Sequence, residues 1–441
     1  MSRSEAFRDV GEAAWSWVLD QVREDDGPWL PETVPEGGTD GAAPAGDRDS
    51  LYAGIAGLAP VLAEIAQHRP LTPRERDLAA GIVARLSAQA GTRTEASLYD
   101  GLAGDATALR LLAPGEEVTA LRRLAGLATP DGWQTTLDLG PDCDKPLDVV
   151  VGTAGVVMTA VWARSEETEA IAATGGEALL RAADRRETGL DWGMTPGAQS
   201  RMPNYSHGTA GIAAALAVAG AALDRSDFLD AAAEGARHVL AVGSLEGGGF
   251  VVPHTIPPSS REVEPVTYTW CHGPAGTSYL FAALAHAGIA RVAGHDVDDL
   301  RQRCLTSLLT SGLPARLRPG FWDNDGRCCG TAGVGDVLLD AAQDCQVPER
   351  RNTLLTAAHR MGDALVDRAV RDGAGARWRF LEHRNDPPLL PPGTAWMQGA
   401  AGIAAYLLRL ARCIKTGPDA AVVDRPDQWW AVPAHVRSTM S

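Results

Sequence analysis

Apolar residues recur along this chain in two ways. Some stretches, such as Ile212-Ala-Ala-Ala-Leu-Ala-Val-Ala and Ile403-Ala-Ala-Tyr-Leu-Leu-Arg-Leu, are apolar around nearly the whole helical circumference. A helix of that kind must be covered on every side. Others carry charge along one face: Arg74–Ala88, Glu116–Ala128, Glu166–Arg185, Asp227–Val242 and Val297–Thr310. These read as outer, half-exposed helices. No run alternates strongly enough at period two to found a sheet, though a short hairpin is expected within 245–270.

The all-apolar stretches share one opening tetrapeptide, Gly-x-Ala-Gly. It occurs as Gly54-Ile-Ala-Gly57, Gly101-Leu-Ala-Gly104, Gly152-Thr-Ala-Gly155, Gly208-Thr-Ala-Gly211, Gly273-Pro-Ala-Gly276, Gly330-Thr-Ala-Gly333 and Gly399-Ala-Ala-Gly402. Successive starts are 47, 51, 56, 65, 57 and 69 residues apart, room for two helices and two loops. Seven such units predict an all-α fold: an α/α toroid with seven inner helices inside seven outer ones. The glycines are expected to let each first turn approach a neighbouring helix and to allow positive φ in the loop before it. One domain is expected over 1–441. Loops are expected at 36–48 and 386–393, with a tail at 415–441 whose Trp429 and Trp430 pack onto the outer ring.

Equivalent inner helices would open on one face, so the residues before each tetrapeptide would converge around the axis. In order they are Tyr52-Ala53, Tyr99-Asp100, Val150-Val151, Ser206-His207, Cys271-His272, Cys328-Cys329 and Met397-Gln398. Three of the seven cysteines fall in these 14 positions, where even placement would put fewer than one. Three thiols on one rim suit Zn2+, which takes tetrahedral sulfur ligands and leaves a fourth position open in catalytic sites. Cys271, Cys328 and Cys329 are the candidate ligands, with buried packing cysteines or a vicinal disulfide as the alternatives. Cys143, Cys304, Cys345 and Cys413 lie outside the motif and read as packing residues.

His207 shares that rim and is a candidate acid/base group. Asp148, four residues before Gly152, is placed either to orient His207 or to cap a helix. His272 either moves a proton or flanks the metal. Trp270 and Trp396 read as walls of an apolar groove.

Composition narrows the partners. Forty basic and 56 acidic residues give a net charge of −16, which argues against nucleic acid and against an anionic membrane surface. The longest apolar run, 208–223, is 16 residues, below the ~20 needed to span a bilayer, so no membrane insertion is expected. An odd cysteine count without a disulfide framework, and no signal-like N-terminus, lead to an expected cytoplasmic location. Glycine is in excess, 48 residues against roughly 31 for average usage. The seven motifs hold 14 of them, which accounts for nearly all of the surplus.

The blocks Asn204-Tyr-Ser-His-Gly-Thr-Ala-Gly211, Trp270-Cys-His-Gly-Pro-Ala-Gly276, Cys328-Cys-Gly-Thr-Ala-Gly333 and Trp396-Met-Gln-Gly-Ala-Ala-Gly402 resemble the signatures of the lanthionine synthetase C-like (LanC-like) family. The resemblance implies a toroid with zinc at its mouth. It also implies addition of a peptide cysteine thiol across dehydroalanine or dehydrobutyrine. Cys271 and Cys328 match the family's cysteine ligands, and Cys329 stands where many members have histidine, as in a three-cysteine subset. His207 and Asp148 match the family's histidine and acidic residue, and His272 a position that varies. Thr267 stands where many members place an arginine, so no arginine role is carried over.

The implied substrate is a dehydrated Cys-containing precursor peptide, with a separate dehydratase to prepare it. The alternatives are addition of a small thiol such as glutathione, or a non-catalytic zinc-stabilised toroid that binds peptide.

Overall fold

The computed structural model describes residues 2–35, 47–140, 143–259, 264–315, 324–382 and 385–438. The all-apolar segments form α2 (Leu58–His68), α4 (Leu102–Leu112), α6 (Thr153–Ala163), α8 (Thr209–Leu223), α10 (Pro274–His286), α12 (Thr331–Asp344) and α14 (Ala400–Thr416). The charged segments form α3 (Pro73–Ala90), α5 (Val118–Leu127), α7 (Glu166–Arg181), α9 (Ser226–Val242) and α11 (Val297–Thr310). Two more outer helices, α1 (Arg3–Gln21) and α13 (Pro348–Arg368), bring the outer set to seven among the described residues.

The fold is an α/α toroid. Each inner helix packs on the next inner one, and α14 packs on α2, so the inner ring closes. From α4 onward each inner helix is covered by the outer helix that follows it, except α14, which is covered by α1. The chain's first helix therefore clasps its last. Every residue of α6 is buried, as the all-round apolar pattern requires.

The motif glycines allow the expected close approach between repeats, but none takes positive φ and their tightest contact lies elsewhere. All seven N-cap glycines have negative φ, between −97° and −162°, and extended backbone. What crowds them is their own chain, because the loop before each helix folds back beneath its first turn. A Cβ on the second glycine of every motif would meet the carbonyl oxygen six residues upstream, at 2.6 Å for Gly57 and 1.9 Å for Gly211. Neighbouring repeats come second: the same Cβ on Gly211 would lie 2.6 Å from Val149 of the preceding unit.

Gly211→Ala is therefore expected to destabilise the fold by about 3 kcal/mol or more, since backbone cannot yield as a side chain can. Gly126→Ala on α5, where an added Cβ meets nothing within 4 Å, is expected to be neutral or stabilising by up to about 1 kcal/mol. Urea unfolding of the two variants against the parent checks the contrast.

The tail does not lie on the outer ring. It turns inward to the inner helices. Trp430 donates its indole N–H to the Tyr279 carbonyl of α10 (3.0 Å), and the short helix Trp429–Ala431 packs on α10 and α12. Asp427 pairs with Arg327 (3.1 Å), and its carbonyl accepts from the Tyr205 hydroxyl (2.8 Å). Arg425 pairs with Asp336, which also holds Arg409. With Asp340, these form a buried network of three arginines and three aspartates. Buried guanidinium groups without carboxylates would be strongly destabilising, and the tail supplies one of the three acids.

Short strands appear, but not where a hairpin was expected. Among the described residues, 245–270 holds only isolated bridges, Ser244 to Val251 and Arg201 to Ile256. Hairpins sit instead at ends of outer helices: 184–191, 291–296 and 370–377. Ala293 and Gly294 both take positive φ, the geometry of a tight two-residue hairpin turn. The expected loop at 386–393 contains Leu389–Leu390, paired with Phe380–Leu381. Most of the loop at 36–48 lies outside the described residues. No helix among those described is long and apolar enough to cross a membrane.

Candidate metal centre

Main-chain hydrogen bonds tie the seven loops in front of the inner helices into a closed circuit. Tyr52 N–H donates to Tyr99 C=O, Tyr99 to Val150, Val149 to Ser206, Ser206 to Cys271, Cys271 to Cys328, Cys328 to Met397, and Met397 back to Tyr52. All seven links measure 2.8–3.3 Å. Equivalent positions of the seven repeats thereby meet at one rim, which is why residues as far apart in sequence as Tyr52 and Gln398 share a site.

Cys271, Cys328 and Cys329 come together on this rim. Their sulfurs all lie within 4.8 Å of one another, and all three residues are buried. Cys329 Sγ is 3.4 Å from both of the others. Zinc–sulfur bonds of about 2.3 Å in a tetrahedron place sulfurs about 3.8 Å apart, so the spacing fits a zinc ion. All seven cysteines are free thiols, and Cys328 and Cys329 form no vicinal disulfide. Cys304 and Cys413 are buried in the packed interior, whereas Cys143 and Cys345 are half-buried.

The protonation of the cluster is lopsided. Hydrogen bonds from Cys271 and Cys329, and a further one from Tyr52, hold Cys328 well below the ordinary thiol range. Burial pushes Cys271 well up, and Cys329 is pushed up first by its hydrogen bonds to the other two. Burial and mutual repulsion oppose ionisation of all three sulfurs together. A divalent ion would let all three ionise.

His207 stands beside this cluster, with Nδ1 2.6 Å from Asp148 Oδ2. The other oxygen of Asp148 accepts from the Val151 N–H at 2.8 Å, within the loop ahead of α6, whose N-cap Gly152 has no side-chain cap. Burial opposes charge on His207. The hydrogen bond and the charge of Asp148 outweigh it, and the imidazole is held above its ordinary value. With Nδ1 engaged by Asp148, Nε2 is the nitrogen left for proton transfer. The His272 ring lies 5.6 Å from that of His207, between centroids.

Five further residues belong to the site. Tyr52 reaches Cys328 from the first repeat, and its hydroxyl accepts from Gln398 Nε2 at 2.6 Å. Thr269 Oγ1 is 3.2 Å from Cys271 Sγ. His254, on the loop between α9 and α10, lies against His272 with ring centroids 4.0 Å apart. Asn204 fixes that loop by donating to the His254 carbonyl. Tyr52 and Gln398 occupy rim positions, but neither residue type announces a ligand. His254 lies outside the repeat altogether.

Trp270 and Trp396 are almost wholly shielded from solvent. They are buried beneath the rim, where Tyr99 stacks on Trp396 and Trp270 meets the edges of Tyr99 and Tyr205. The Arg327 guanidinium caps Trp396 at 4.8 Å. This aromatic layer floors the mouth and separates it from the ionic network below.

Residues 46–416 match the family model for lanthionine synthetase C-like protein. Among solved structures, nisin cyclase aligns with 14% identity over 82% of this chain and 88% of its own, with a TM-score of 0.54, a shared fold. An unsaturated glucuronyl hydrolase from Bacillus sp. GL1 aligns at 14% identity over 93% and 97% of the two chains, with a TM-score of 0.45. A sugar epimerase from a ruminal bacterium does so at 9% over 92% and 98%, with a TM-score of 0.46. No curated protein matches the chain.

Proposed function

Because this chain belongs to the lanthionine synthetase C-like family, we propose that it is a zinc-dependent cyclase. It adds a peptide cysteine thiol to a dehydroalanine or dehydrobutyrine of the same peptide. The observation that carries this reading is the placement of three convergent thiols and an Asp148-held His207 on one rim. Cys271, Cys328 and Cys329 would hold the ion. Zinc bound there supplies an open position at which a substrate thiol loses its proton.

The remaining steps fall to the chain's own residues. Net reaction adds S–H across C=C: sulfur bonds to the β-carbon, and the α-carbon of the resulting enolate takes a proton. His207 delivers that proton from Nε2, with Asp148 fixing the ring and stabilising its charged form. Tyr52, held by Gln398, and Thr269 hold Cys328 and Cys271 in place through their hydrogen bonds. The dehydrated peptide comes from a separate dehydratase.

The decisive experiment offers a dehydrated Cys-containing peptide and excess glutathione to the purified protein, with bound zinc measured on the same sample. Intramolecular loss of the peptide thiol, without a change in peptide mass, is the expected result. A glutathione adduct instead would assign the site to small-thiol addition. Zinc binding with neither product would make the protein a peptide-binding toroid.

A further inference from the structure

The inner helices all begin at the cysteine rim, so their C-terminal ends gather at the far side. A cavity of about 450 Å³ opens there, between the ends of α6 and α8, the last residue of α10, and the tail. Its apolar wall is built from Ala160, Val161, Ala172, Ala221 and Leu223. The opposite wall is cationic. The guanidinium carbons of Arg164 and Arg437 lie 4.9 Å and 5.3 Å from the ring centre of Trp429, and His286 meets the same ring at 4.9 Å.

These two arginines, one exposed and one half-buried, differ from the paired arginines of the interior. Arg327, Arg409, Arg412 and Arg93 each hold a carboxylate at 2.5–2.7 Å. Among the described residues, neither Arg164 nor Arg437 has a carboxylate within 4.0 Å. The Arg437 Nε is buried with no hydrogen-bond partner. Asp424 is the acid whose charge interacts with both. It accepts a hydrogen bond from Trp162, and burial pushes its carboxyl up. Glu169, also on the cavity wall, is exposed. Two guanidinium groups drawn to one indole in a chain of net charge −16 leave an anion-sized demand unmet beside an apolar wall.

We propose that this cavity binds an amphipathic anion: a carboxylate or phosphate headgroup between Arg164 and Arg437, carried on an apolar body that lies against the alanine-rich wall. The site is separate from the cysteine rim and independent of the reaction assigned to it. Its size is that of pockets for small organic ligands.

Calorimetry on the full chain tests this with octanoate, octyl phosphate, octanol, octylammonium and acetate. Octanoate or octyl phosphate is expected to bind and to perturb Trp429 fluorescence. Octanol and octylammonium lack the anion and acetate lacks the apolar body, so each should bind at least about tenfold more weakly. Arg164→Gln, at an exposed position that leaves the fold intact, should weaken the bound anion by about tenfold or more. Arg437→Gln should do the same, with circular dichroism confirming a folded tail. Binding of neither anion, equal binding of octanol, or unchanged affinity in Arg164→Gln would overturn the proposal.

Discussion

Cys328→Ala is expected to fold, to lose its metal and to form no thioether. The fold should survive because Cys328 contributes to the rim circuit through its main chain, donating to Met397 and accepting from Cys271, and alanine keeps both links. The metal should not. Removal of groups that merely support a ligand costs roughly 10–100-fold in metal affinity, and here a ligand itself is gone. Cys328 is also the one thiol of the trio held below its ordinary range. Zinc per chain by elemental analysis, and thioether formation by mass spectrometry after thiol alkylation, read the two effects separately. A metal-free Cys328→Ala protein that still cyclises would remove zinc from the reaction.

The second large effect is expected at His207. His207→Ala should retain zinc, because no ligand is touched, while turnover falls by roughly 10²–10⁴-fold, the usual worth of a positioned acid or base. Asp148→Asn is the companion variant. Asparagine keeps an oxygen for the Val151 N–H but loses the carboxylate that fixes the ring. It should slow the reaction with zinc stoichiometry unchanged. A rate within a factor of about two of the parent for His207→Ala would take the proton away from His207 and direct attention to His272.

The site was largely legible in advance because the repeat is written in glycine. Once seven tetrapeptides are in register, the residues ahead of them must share a rim, and Cys271, Cys328, Cys329, His207 and Asp148 follow from counting. What the register cannot show is direction. Tyr52 and Trp270 occupy adjacent positions in their loops, yet one reaches Cys328 and the other is buried beneath the rim. His254 arrives from a loop with no periodic signal, tied by bonds to Asn204 and Pro265.

The glycines were read only in part, for a related reason. A small residue at each end of a tetrapeptide looks like helix packing, whereas the tighter contact is with the chain's own carbonyl six residues back. The tail was misplaced because Trp429 and Trp430 read as apolar cover for any surface. Only the buried arginines on the inner elements explain why Asp427 is drawn to the axis.

The circuit of main-chain bonds has a consequence for how chemistry is installed in such a molecule. Its seven links use N–H and C=O groups that every residue except proline possesses, so the rim behaves as a round table with seven numbered seats. The frame holds the seats at fixed separations whoever sits in them. Here seats five and six hold the thiols, seat four the histidine and seat one the tyrosine. Exchanging occupants would re-equip the table without rebuilding it.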